Sequence, residues 1–112
     1  MAYTAKSFVD GVNLTTAAVT YYTAPVATKS LIKKATFCND NTFAVTVTIN
    51  LVPSGSTAAY GNQITKTKAL SAAETWSCPD IENHVLEAGG FISMLASVTA
   101  KVGVRISGFE IV

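Results

Sequence analysis

Charged side chains are scarce in this sequence: 8 basic and 7 acidic residues among 112 make 13% of positions charged and leave a formal charge of +1. About 25% is usual. Without clustered Lys and Arg there is neither counterion release nor long-range steering, so nucleic acid and anionic membrane faces are not expected partners. Long apolar runs are missing too, and nothing approaches the roughly 20 residues that cross a bilayer as a helix. Only two cysteines occur, Cys38 and Cys78, neither in a C-x-x-C pair, which argues against a structural zinc site. The stretch from Met1 to Phe8 has one lysine and no apolar core, so it does not read as a secretory signal, and cytoplasmic synthesis with both thiols reduced is expected. One histidine, His84, with no G-x-S-x-G elbow and no Gly-rich phosphate loop, leaves no signature of hydrolysis or nucleotide binding.

What is abundant points to β structure. Thr (15) and Val (12) fill 27 of 112 positions, and branching at Cβ suits a pleated sheet better than a helix. Ala, at 16, is the contrary signal. The clearest segment runs from Phe43 to Val52, with Phe43, Val45, Val47, Ile49 and Leu51 on one face and Ala44, Thr46, Thr48 and Asn50 on the other. That period of two defines a strand with one face in a core. A strand from Leu31 to Cys38 precedes it, and Asn39-Asp40-Asn41 between them predicts a hairpin, because such side chains bond their own backbone.

Pro53-Ser54-Gly55-Ser56 ends that strand and opens a small-residue loop to about Asn62, since Pro removes a ladder donor and Gly allows positive φ. Gln63 to Leu70, with Lys66 and Lys68, suits an edge strand. Ala73 to Cys78 is a further short strand around Trp76, Asp80 to Leu86 reads as a loop, and Phe91 to Val98 and Lys101 to Val112 complete the set, with Gly108 as a possible bulge. Leu14 to Thr23 is the first strand of the domain. The expectation is an all-β chain of seven to eight strands, a single antiparallel sandwich of jelly-roll kind spanning residues 14–112. Residues 1–13 read as an extended N-terminal arm, lying on this sandwich or on a neighbouring subunit.

Few side chains suggest chemistry. If extended, the segment holding Asp80, Glu82 and His84, with Glu87 nearby, would project its polar groups to one side; the spacing matches no calcium or zinc signature, so a solvated acidic rim is favoured over a cation site. No metal and no cofactor is expected. Tyr21, Tyr22, Tyr60 and Trp76 offer flat faces for sugars, although single aromatics in strands more often belong to a core or interface. The shortage of charge points instead to burial by copies of the chain or by a larger partner, because interface cores are depleted in charge.

Thr23-Ala24-Pro25 with Leu31-Ile32-Lys33, Cys38-Asn39, Val45-Thr46-Val47, Leu51-Val52-Pro53-Ser54-Gly55, Val85-Leu86-Glu87-Ala88-Gly89 and Val104-Arg105-Ile106-Ser107-Gly108 together resemble small virion β-sandwich proteins of tailed bacteriophages. Gly90 stands where the resemblance implies an acidic residue. The resemblance implies a non-enzymatic virion structural protein, a capsid decoration or cement protein that binds the assembled head lattice, with the major capsid protein or other virion proteins as partners. It implies a homo-oligomer, a trimer by preference. The alternative is a tail or fibre module binding host-surface glycans. Under the first reading the partner contacts are Tyr3 and Phe8 of the arm, Tyr21 and Tyr22 of the first strand, and Phe109 and Ile111 near the C-terminus. Deleting residues 1–12 would then leave a folded sandwich unable to bind heads.

Overall fold

The computed structural model describes residues 3–79 and 81–112, except the Tyr60 side chain. The described residues form nine strands: β1 (Tyr3–Asn13), β2 (Val19–Thr23), β3 (Lys29–Asn39), β4 (Val45–Val52), β5 (Gln63–Leu70), β6 (Thr75–Ser77), β7 (Val85–Leu86), β8 (Phe91–Ala96) and β9 (Val102–Ile111). One sheet has the order β1-β9-β3-β6 with β7 also on β3, and the other has β2-β8-β4-β5. All pairings are antiparallel. β6 and β7 lie along the same side of β3, joined by a loop that stays on it through Cys78 N–H to Ala35 O and Ile32 N–H to His84 O. They therefore fill one strand position, and the arrangement is the eight-position, two-sheet jelly roll.

The core lies between the sheets. Phe37, Ile32, Ile49, Ile92, Met94 and Ile106 are fully buried there. β4 keeps the expected alternation at Val45, Val47 and Ile49, but it begins only at Val45, and Phe43 is 64% exposed in the preceding bend. Asn50 is buried because the loop after β4 folds back over it: its side-chain amide donates to Ala59 O and Asn62 Oδ1.

Two expectations need correction. The Asn39-Asp40-Asn41 segment does not close a hairpin: β3 pairs in one sheet and β4 in the other, so the chain changes sheets there. Asn39, wholly buried, pins this corner, its amide donating to the carbonyls of Phe43, Leu70 and Ser71 while its oxygen accepts from Asn41 N–H. The other concerns the arm. Residues 3–13 form a strand hydrogen-bonded along β9 from Tyr3 opposite Ile111 to Asn13 opposite Gly103. Burial of Phe8 and Val9 holds that strand to its own sandwich, the first of the two placements expected for it, as an integral strand of the sheet.

Bulges explain both buried neighbours. Phe8 is an extra residue between Ser7 and Val9, and Gly11, at φ 76°, is another between Asp10 and Val12. Each lets two consecutive residues of one strand face a single partner position. A third lies at Lys33 in β3, where Ile32 pairs with Gly108 and Lys34 with Ser107. Gly108 itself is regular but crowded: a Cβ there would collide with the Leu31 carbonyl oxygen and meet Phe8 Cε2 at 2.9 Å.

Candidate functional site: an apolar face beside the sheet edge

The bulge at Lys33 reverses the alternation of β3, so Ile32 turns into the core and Leu31 turns outward. Leu31 then joins a row that crosses four strands: Ala5 pairs with Phe109, Phe109 with Leu31, and Leu31 with Val85. The next row outward on the same face pairs Tyr3 with Ile111 and Ile111 with Lys29. Tyr3 is 66% exposed, Val85 48% and Phe109 36%. Single exposed apolar residues are ordinary, whereas here they are contiguous across neighbouring strands.

A polar cluster lies directly beneath. Glu110, between Phe109 and Ile111, points inward and is the acceptor for the Tyr22 hydroxyl at 2.7 Å and for Lys6 Nζ at 3.4 Å. The Ser30 hydroxyl, fully buried, lies 2.7 Å from the Tyr22 oxygen and donates to it, since the single Tyr22 proton goes to Glu110. Tyr22 comes from the opposite sheet, and its ring stacks on Phe8 at a centroid distance of 4.3 Å. Burial, together with the Glu110 carboxylate, pushes the Tyr22 phenol up to about 12, outweighing the Ser30 hydrogen bond, which favours the phenolate. The cluster thus bolts the two sheets together under the apolar rows, so the face is presented by a rigid support.

Of the six expected contact residues, the fold gathers Tyr3, Phe109 and Ile111 on this face. The other three go elsewhere. Phe8 belongs to the core, and Tyr22 is drawn inward by Phe8, Ser30 and Glu110. Tyr21 sits at a bulge of β2 and packs on the core from the opposite sheet. Ala5, Leu31 and Val85 are members that sequence reasoning missed. Val85 and Leu31 each lie in a strand whose neighbours are mixed, and only the bulge reveals which side they take.

The opposite sheet is different in kind. β2, β8 and β4 contain no charged residue, and their outer side holds a shallow depression of about 380 Å³ lined by Ala18, Thr48, Asn50, Ala59, Gln63 and Leu95, among others. None of its described lining residues is aromatic. Trp76 is occupied: its ring packs on Phe37 at 5.4 Å, and Lys68 Nζ lies 5.5 Å from it, linking the edges of the two sheets. Among the described residues no group of three or more His, Cys, Asp and Glu is placed to hold a metal ion. Asp80 lies outside them; Glu82 accepts from Ala35 N–H, and His84 is exposed. Cys38 is exposed and Cys78 buried.

The fold and this surface define a jelly-roll β-sandwich with a partly exposed apolar face. Searches with family models find no match, and neither the curated proteins nor the solved structures include one.

Proposed function

We propose that this chain is a structural protein of a tailed-bacteriophage virion, a decoration or cement protein that docks on the assembled head lattice and has no enzymatic activity. The observation that carries the reading is the pair of apolar rows, Ala5-Phe109-Leu31-Val85 and Tyr3-Ile111, on a face held rigid by the Glu110 cluster. Jelly rolls house both capsid and lectin domains, and that is analogy of fold alone. The poverty of charge supports the capsid side, as does the engagement of the Trp76 ring by Phe37 and Lys68. Its partners are the major capsid protein or another virion protein, together with further copies of itself. A protein that binds the assembled lattice and not its dissociated subunits stabilises the shell by mass action.

The test uses particles of the source phage produced with this gene interrupted. Purified chain added back should bind them and raise the temperature at which they release DNA. Phe109→Ser, at an exposed position, should fold normally and bind about tenfold more weakly, the loss expected when an aromatic anchor leaves an interface. Particles that take up none of the wild-type chain, or a Phe109→Ser protein that binds as well as wild type, would remove the reading.

A further inference from the structure

Among the described residues, only one of the four sheet edges keeps more than three consecutive residues in unbroken register with its neighbour. β6 and β7 are three and two residues long and interrupted. β5 exposes Lys66 and Lys68 and is bulged, with Thr67 at φ 45°. β2 has only five residues and a bulge at Tyr21. Short length, exposed lysine and bulges are the recognised means of closing an edge. β1 has its bulges at Phe8 and Gly11, which leave Tyr3 to Ser7 a regular segment in unbroken register with β9. Its one charged side chain, Lys6, is half-exposed and pairs with Glu110 at 3.4 Å. At the end of the segment Ser7 Oγ is buried and has no hydrogen-bond partner.

We propose that residues 3–7 are the contact between two copies of this chain, paired antiparallel across a twofold axis at Ala5. Both outer apolar rows end at β1, in Ala5 and Tyr3. A twofold axis perpendicular to the sheet keeps these faces on one side, so pairing merges two half-patches into one and joins two sheets through β1. This register sets Tyr3 against Ser7 of the partner subunit and Thr4 against the partner's Lys6, so no like charges meet. A twofold at Lys6 would oppose two lysines, which disfavours it. The pairing ends where the Phe8 bulge begins. The inference deepens the docking reading by naming how copies meet, but it is tested in solution without any particle, so each can fail alone.

Sedimentation velocity over a wide concentration range should show a species of twice the 11.7 kDa chain mass. Ala5→Lys, which puts two ammonium groups across the axis, should weaken association about fivefold or more with an unchanged circular dichroism spectrum. In a Cys38→Ser background, Ala5→Cys should oxidise to a covalent dimer. A mixture of Tyr3→Cys and Ser7→Cys proteins should form the mixed disulfide, and Tyr3→Cys by itself should not. A monomer at all concentrations, a trimer, association unaffected by Ala5→Lys, or absence of the Ala5→Cys dimer would overturn the proposal.

Discussion

Tyr22 carries more of the fold than its half-buried position suggests. Its hydroxyl joins a buried serine of one strand to the carboxylate of another across the two sheets. Tyr22→Phe removes both bonds and should lower stability at neutral pH by about 1–3 kcal/mol, read by urea unfolding. The phenol is raised from its ordinary 10 to about 12, so between these values the unfolded chain gives up the proton and the folded chain keeps it. The stability this provides is full below pH 10 and disappears as pH rises to about 12. The gap between wild type and Tyr22→Phe should therefore be constant below pH 10 and shrink above it; a gap that widens there would refute the assignment. Gly108 is the second critical position. Gly108→Ala forces a methyl group against the Leu31 carbonyl and the Phe8 ring, and should cost about 3 kcal/mol or more, the upper end of overpacking penalties. A variant with wild-type urea midpoint would show that β3 yields without cost.

At the level of elements, β1 decides how the chain tolerates truncation. A detachable arm would leave a folded sandwich after loss of residues 1–12. The strand instead contributes Phe8 and Val9 to the core and covers one side of β9 along its length. Deletion of residues 1–12 should abolish cooperative unfolding and give an aggregating product, measured by thermal melting and light scattering. A soluble truncated protein with a sharp transition would restore the arm. The misreading has a physical source. Two bulges within eleven residues destroy the period of two by which a half-buried strand announces itself, whereas β4, regular over Val45 to Ile49, was legible at once. The Asn39 corner shows a related ambiguity. Asn-Asp-Asn turns the chain in the same local way whether the next strand pairs alongside or crosses to the other sheet, and only the long-range partners of the Asn39 amide distinguish the two.

For the molecule as a whole, the ionised groups are few and spread out, and the proposed docking face is apolar. Three ion pairs occur among the described residues, and two of them, Lys29 with Glu87 and Arg105 with Asp10, are largely exposed, so they contribute little to stability. Binding through the Phe109 face should accordingly depend weakly on ionic strength. Between low and high salt, affinity for particles should change by less than about threefold, where a surface using several Lys–phosphate contacts would lose orders of magnitude. A steep salt dependence would shift the docking site to the lysines of β3.

The amino-acid sequence by itself determined the class of this protein, because composition and strand periodicity are local properties: abundant Thr and Val, little charge, and short alternating segments separated by turn residues admit an all-β sandwich and little else. It also named Tyr3, Phe109 and Ile111, which the fold places on one face. The tertiary structure decided which side each residue takes, since one extra residue in β1 or β3 reverses the facing of everything beyond it. Through those bulges Phe8 and Ile32 went into the core, Leu31 came out to meet Phe109 and Val85, and separate strands acquired a common apolar face.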